Sequence, residues 1–248
     1  MKRLLKIISL LLAILPYQSF AEPVLFTSKD KKSTVIELFT SQGCSSCPSA
    51  EEYINAYIDN KDLWSKYIPI VFHVDYWDYI GWKDIFAQPQ FTSRQYLYAK
   101  LKHVRTVYTP AFIVNGSAWR RGFFNSTPNA SGLDNGVLDI TVNGKKVVAT
   151  FKMTVSNLIR NNAIALNLNI AVLGMDMVVD ITAGENEGRQ AKHNFVVLGY
   201  SSLLSDKSSW NMQLPVFKSV KSARYAFVSW ISTQSDPTPL QAVGGWLP

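Results

Sequence analysis

The sequence is poor in cysteine, histidine and charge. Its 248 residues include two cysteines and three histidines, and charged residues make up 17% of the chain. Two cysteines exclude a disulfide-rich scaffold, and a closed four-ligand zinc site would need nearly every cysteine and histidine present. The net charge is +7, but the basic residues are scattered and form no patch, so we expect no nucleic-acid partner.

The first 21 residues have the layout of a secretory signal peptide. Basic residues in the first six positions precede an apolar run over residues 7–15, and Ser19 and Ala21 are small residues at a cleavage site. We expect cleavage after Ala21, a mature chain that begins at Glu22, and a periplasmic or secreted location without stable membrane insertion. The alternative is an uncleaved membrane anchor, although the apolar run is short for a span.

Residues 22–124 alternate between strand and helix patterns. Runs rich in β-branched and aromatic residues predict buried strands. After the cysteines, apolar residues recur at helical spacing up to Asn60, which predicts a first helix. Thr92 with Gln95 has the pattern of a capping box and predicts the start of a second helix. The predicted strands are Thr34–Thr40, Ile68–Val74 and Val107–Val114. This order predicts an α/β domain with helices packed on a sheet.

The second half of the chain has a different pattern. Residues 125–136 are rich in Ser, Asn, Pro and Gly and are typical of a linker. In residues 137–248 apolar and polar residues alternate, and Asn143-Gly144 predicts a hairpin turn. We expect a β-rich, sandwich-like C-terminal domain.

The two cysteines form a CxxC motif, Cys44-Ser-Ser-Cys47, between a predicted strand and a predicted helix. The start of a helix favours thiolate over thiol, so we expect Cys44 to be the exposed nucleophile with a lowered pKa. Cys47, one turn further on, would resolve a mixed disulfide. The alternatives are a structural bridge, which would close a very small loop, or free thiols.

The sequence resembles a family of secreted thioredoxin-like proteins known as domain of unknown function 1223. The shared motifs are residues 37–48 around the CxxC, His73-Val-Asp-Tyr-Trp-Asp78 with Gly81-Trp-Lys-Asp84, residues 91–95 and Tyr108-Thr-Pro110. Residues 184–189 with His193 match the family more weakly, and such a group is more typical of a structural polar cluster than of a functional site. The resemblance implies a thioredoxin-like fold and a redox-active CxxC, but no named substrate.

The residues expected near the CxxC suggest a substrate site. In thioredoxin-like folds a cis proline faces the motif, so Thr109 and Pro110 are candidate substrate-binding residues. Trp77 and Trp82 are in an aromatic loop that would form a wall of the site. His73 or Asp75 would transfer a proton to the leaving thiolate. The alternative is that these aromatics cap the sheet and the carboxylates cap turns.

Together these features predict an exported thiol–disulfide oxidoreductase. Its partners would be envelope proteins or small molecules that carry thiols or disulfides, and we expect no cofactor and no bound metal. The alternative is a non-catalytic binding module or a copper chaperone, in which Cys44, Cys47 and His73 would bind Cu(I).

Overall fold

The computed structural model describes residues 22–119, 126–154, 165–217, 220 and 224–248. The predicted signal peptide therefore lies outside the described residues. Within them, 45% of residues lie in strands and 13% in helices. The described strands are β1 (Val24–Thr27), β2 (Thr34–Thr40), β3 (Tyr67–His73), β4 (Ala111–Val114), β5 (Ser117–Ala118), β6 (Gly136–Asn143), β7 (Lys146–Met153), β8 (Leu166–Met175), β9 (Met177–Asp180), β10 (Gln190–His193), β11 (Val196–Ser205), β12 (Ser209–Gln213), β13 (Arg224–Thr233) and β14 (Gln241–Trp246). The α-helices are α1 (Pro48–Asn55) and α2 (Pro89–Lys100), and short 3-10 turns span Ala56–Asp59 and Asp78–Ile80.

An eight-stranded mixed sheet forms the centre of the protein, in the order β14-β13-β8-β11-β3-β2-β4-β5. β2 and β3 are parallel, and their register pairs Thr40 with His73. β3 also pairs in parallel with β11, through Val71 and Val196, so the sheet continues without a break from the first half of the chain into the second. Because β2 and β3 are parallel and in register, the loops that follow them leave the sheet at the same edge.

The prediction of a thioredoxin-like α/β fold is wrong. The described residues contain two α-helices, of eight and 12 residues, and strand is more than three times as abundant as helix. Local patterns correctly located β2 and β3, but they gave no information on which strands complete the sheet. Strands from the second half of the chain pair with β3, and two short helices are too few to form the continuous helical layers of an α/β domain.

A four-stranded sheet, β1-β6-β7-β12, packs against one end of the large sheet. Along β6 and β7 the buried residues alternate with more exposed ones, as the sequence pattern predicts. Their inward side chains, such as Leu138 and Phe151, share an apolar cluster with Phe227 and Val243 of the large sheet. β1 belongs to this second sheet, although it precedes β2 in the chain, and the predicted domain limits stay a prediction.

The helices begin at prolines. Pro48 starts α1 and Pro89 starts α2. At the first position of a helix the backbone N–H has no acceptor within the helix, so proline, which lacks this N–H, costs no hydrogen bond there. The predicted capping box at Thr92 is wrong, because α2 already begins at Pro89 and Thr92 lies inside it. No helix of the described residues combines the length and the apolar character needed to cross a bilayer.

Candidate functional site

Cys44 and Cys47 form a disulfide, with 5.4 Å between their Cα atoms. The bond closes the loop between the end of β2 and the start of α1. Both cysteines are about 1% exposed, whereas Ser45 and Ser46 between them are exposed to solvent. The expectation that Cys44 is the exposed nucleophile is therefore wrong for this conformation, because neighbouring segments cover the sulfur atoms.

Tight backbone turns place the disulfide at the start of α1. The amide of Cys44 donates to the carbonyl of Ser41, and the amide of Cys47 donates to the carbonyl of Cys44. Cys47 is the N-cap residue of α1, and its carbonyl accepts from Glu51 N at 3.1 Å. The Ser46 hydroxyl lies 3.4 Å from Cys44 Sγ. A hydroxyl and a helix N-terminus at this position both favour a thiolate at Cys44 in the reduced protein.

The segment 184–189 covers one side of the CxxC loop. Asn186 is 2% exposed, and its Nδ2 donates to the carbonyl of Gln42 at 2.8 Å and to that of Cys44 at 3.0 Å. The Ser45 amide donates to Glu185 Oε2 at 3.3 Å. Sequence reasoning treated this segment as a polar cluster around His193 and missed its contact with the CxxC loop. Gly184 and Gly188 lie within the segment, and such a pair is the signal in the sequence for a compact turn.

The aromatic loop after β3 also packs against the CxxC loop. Trp77 Nε1 donates to Thr109 Oγ1 at 2.7 Å, and Trp82 Nε1 donates to Gln42 Oε1 at 2.9 Å. A Cβ atom on Gly43 would lie 3.3 Å from Trp77 Cβ, so a larger residue at position 43 would press on Trp77. Trp77, Trp82 and Thr109 are all half-buried.

The Thr109–Pro110 peptide bond is cis, as expected. β4 begins at the next residue and pairs antiparallel with β2, with Ala111 opposite Phe39. This register continues towards the end of β2, where the CxxC loop begins. Pro110 and the CxxC loop therefore occupy the same edge of the sheet.

His73 and Asp75, the predicted proton-transfer residues, have different surroundings. His73 is fully buried, and its Nδ1 donates to Asp84 Oδ2 at 2.7 Å. Asp75 is half-buried, and its Oδ1 accepts from Thr92 Oγ1 at 2.6 Å. Asp84 also accepts from the backbone amide of Gln42 at 2.8 Å, which ties the loop after β3 to the CxxC loop.

Burial and ion pairing have opposite effects on the pKa values of His73 and Asp84. Burial alone would lower the pKa of His73, but the neighbouring carboxylates of Asp84 and Glu51 raise it above its ordinary value. Burial would raise the pKa of Asp84, but His73 and the backbone amides of Gln42 and Phe86 lower it. The paired state of this buried histidine and carboxylate is therefore the favoured one.

Glu51 in α1 and His193 at the end of β10 were not predicted as partners. His193 Nδ1 lies 2.7 Å from Glu51 Oε2, and Thr40 Oγ1 donates to Glu51 Oε1 at 2.7 Å. Burial would raise the pKa of Glu51, but His193, His73 and Thr40 lower it below its ordinary value. The two residues are far apart in the sequence, and no local pattern relates them.

A cavity of about 540 Å³ lies between α1 and the chain from Ile181 to His193. Its walls include Gln42, Glu51 and Asn186, so it reaches the residues beneath the CxxC loop. Glu52, Arg189 and Lys192 also line it, and these side chains give the cavity a mixed charge. The cavity thus gives solvent a route towards the buried Glu51 and His193 side chains.

Comparisons with known proteins agree with the motifs found in the sequence. A crystal structure of a protein from Agrobacterium tumefaciens, solved by a structural genomics consortium, is similar, with 25% identity and a TM-score of 0.61; the match covers 88% of this chain and 95% of that one. HBP35 of Porphyromonas gingivalis shares 17% identity and a TM-score of 0.57, over 89% of this chain and 76% of that one, and shows similarity of fold alone. No curated protein has a significant match to the chain. The model of the family described as "Protein of unknown function (DUF1223)" matches residues 35–232, and the chain belongs to this family.

Proposed function

We propose that this protein is an exported thiol–disulfide oxidoreductase that acts through Cys44 and Cys47. The observation that carries the proposal is the disulfide between the only two cysteines of the chain, closed at the N-terminus of α1. A bridge across two residues constrains the unfolded chain little, which favours a reactive role over a structural one.

The reaction is a two-electron exchange in two steps. A partner thiolate attacks Cys44 Sγ, a mixed disulfide forms, and Cys47 leaves as a thiolate. A second thiolate of the partner then attacks the partner sulfur of the mixed disulfide and expels Cys44 as a thiolate. The partner has been oxidised to a disulfide and the CxxC pair reduced to a dithiol. The same steps in reverse reduce a partner disulfide.

The assignment of Cys44 as the attacked sulfur rests on its surroundings. Cys44 precedes α1, and the Ser46 hydroxyl is 3.4 Å from its sulfur. Cys47 is the N-cap residue, and its sulfur makes no capping hydrogen bond to the first turn of the helix. The group better stabilised as a thiolate is the better leaving group when the mixed disulfide is resolved. These contacts favour Cys44 for that role.

Exchange requires access to a sulfur atom that is buried in this conformation. In this conformation Asn186 holds the segment 184–189 over the CxxC loop by two hydrogen bonds to backbone carbonyls. We infer that these bonds break and the segment moves away from the loop before exchange. A partner peptide would then contact the exposed Ser45 and Ser46 and, beside them, Trp77, Trp82, Thr109 and Pro110. His73 and Asp75 stay candidates for proton transfer within this proposal.

Trapping of the mixed disulfide tests the proposal. In a Cys47→Ala variant the resolving sulfur is absent, so Cys44 should accumulate covalent, reductant-sensitive adducts with envelope proteins or small thiols. The matched Cys44→Ala variant should accumulate few. The measurement is non-reducing electrophoresis of the exported protein followed by mass spectrometry of the adducts.

Two outcomes would contradict the proposal in different ways. If neither variant forms adducts and the wild-type pair stays oxidised whatever the redox state of its surroundings, the disulfide is a passive bridge. If Cys44→Ala forms adducts and Cys47→Ala does not, exchange occurs but the roles of the two sulfur atoms are reversed.

A further inference from the structure

Two imidazoles and a carboxylate converge beneath the CxxC loop. They belong to Glu51 in α1, His73 at the end of β3 and His193 at the end of β10, and all three residues are buried. One potential ligand atom from each lies within 4.8 Å of the other two. None of the three is a cysteine, so this cluster is chemically separate from the disulfide.

His73 is oriented as metal-bound histidines commonly are. Its Nδ1 donates to Asp84 Oδ2 at 2.7 Å, and Asp84 is itself held by the backbone amides of Gln42 and Phe86. Nε2, on the other side of the ring, has no hydrogen-bond partner among the described residues, although the ring is fully buried. A carboxylate on one ring nitrogen usually fixes the tautomer that leaves the other free to bind a metal.

His193 presents a second imidazole nitrogen to the same place. Its Nδ1 is 2.7 Å from Glu51 Oε2, but within the described chain it does not meet hydrogen-bond geometry with any partner. Its Nε2 lies 3.2 Å from Gln42 Nε2. A buried polar atom without a hydrogen bond is costly, and His73 Nε2 is such an atom, whereas His193 Nδ1 has the carboxylate of Glu51 beside it.

The carboxylate of Glu51 completes the set. Thr40 donates to Oε1 at 2.7 Å, which fixes the side chain and leaves Oε2 directed at the two imidazoles. Glu51 and His193 line the cavity of about 540 Å³ beside α1, so an ion could reach the cluster from solvent. Two of the three candidate ligands thus have a supporting partner, namely Asp84 for His73 and Thr40 for Glu51.

We propose that Glu51, His73 and His193 bind one divalent first-row transition-metal ion. Two imidazoles and one carboxylate form a ligand set that suits Zn²⁺ and its neighbours in the series, with a fourth position for water. Ligand atoms around one Zn²⁺ lie about 3.3 Å apart, so the 2.7 Å contact between Glu51 and His193 must open and separations of up to 4.8 Å must close around the ion. Metal on His193 Nδ1 would place the ring proton on Nε2. To accept this proton, Gln42 would have to turn its amide oxygen from Trp82 Nε1 to His193 Nε2.

Titration of the oxidised, metal-free protein with Co²⁺ tests the site, because the closed disulfide keeps both cysteines out of the ligand set. We expect one Co²⁺ per chain, visible absorption without a thiolate charge-transfer band, and displacement by Zn²⁺. His193→Gln and Glu51→Gln should each weaken binding at least about tenfold, and Asp84→Asn, which acts through His73, about 10- to 100-fold. The matched control is His103→Gln, at a remote histidine paired with Asp236, and it should leave binding unchanged.

The proposal fails if the wild-type protein binds no Co²⁺, or if binding is unchanged in folded His193→Gln and Glu51→Gln variants. Should a variant fail to fold, X-ray absorption of the wild-type Zn²⁺ complex decides by counting imidazoles. Two imidazoles and no sulfur support the site; sulfur ligands, or binding lost in a Cys44→Ser/Cys47→Ser variant, would overturn it. These results are independent of adduct trapping, so failure of the metal site and failure of thiol exchange are distinguishable.

Discussion

Reduction of the Cys44–Cys47 disulfide should change the stability of the protein only modestly. The bond joins residues three apart, so it closes a loop of four residues. In the chain-entropy relation a loop of four residues gives about 6 cal/mol/K, or about 2 kcal/mol at 25 °C. A folded protein is typically stable by about 5–15 kcal/mol, so the dithiol form should stay folded.

Urea denaturation of the oxidised and reduced proteins measures this difference. With a slope of about 2–3 kcal/mol/M, reduction should lower the midpoint by about 1 M or less and leave the slope unchanged. A Cys44→Ser/Cys47→Ser variant should behave like the reduced protein. If reduction unfolds the chain, or costs more than about 5 kcal/mol, the bridge is a structural staple and the reasoning behind the redox proposal is refuted.

Three further predictions concern a buried ion pair, the covering segment and export. Glu37→Gln should lower the free energy of unfolding by about 3–5 kcal/mol, because it leaves the buried Arg94 without its counter-charge; two guanidinium nitrogens of Arg94 lie 2.7 and 3.0 Å from the Glu37 carboxylate oxygens. In urea denaturation the double variant Glu37→Leu/Arg94→Met should lose less stability than Glu37→Gln, and an equal or larger loss would contradict this reasoning. Asn186→Ala should speed reduction of the disulfide by dithiothreitol, since it frees the segment 184–189, while the control Glu187→Ala on the same segment should not. Equal reduction rates in the Asn186→Ala variant and the wild-type protein would show that Asn186 does not control access. N-terminal sequencing of exported protein should begin at position 22, and an intact Met1 on membrane-bound protein would identify an anchor.

Local patterns predicted two of the three strands in residues 22–124 closely, but the predicted strand Val107–Val114 is too long, because β4 begins at Ala111. The predicted strand Thr34–Thr40 coincides with β2, and the predicted strand Ile68–Val74 differs from β3 by one residue at each end. Such strands are buried on both faces and consist of continuous β-branched and aromatic runs. The pairing of Val71 with Val196 could not be predicted in this way, because it depends on packing between segments far apart in the chain. That pairing is what makes the α/β prediction wrong.

The candidate site shows the same division between local and distant information. Cys44 and Cys47 could be found because they are near neighbours between a strand and a helix. Sequence reasoning selected His73, the last residue of β3, but did not pair it with Asp84. It did not select Glu51, and it placed His193 in a polar cluster, because only the folded chain brings these two residues within 2.7 Å.

The reduction potential of the Cys44–Cys47 pair tests the central claim most directly. Protein equilibrated in glutathione buffers of graded ratio can be alkylated, and its dithiol fraction measured by mass shift. An exchanging pair should have a potential between about −120 and −270 mV, the range of known thiol–disulfide oxidoreductases. A potential below about −300 mV, typical of structural disulfides, would contradict the proposed function.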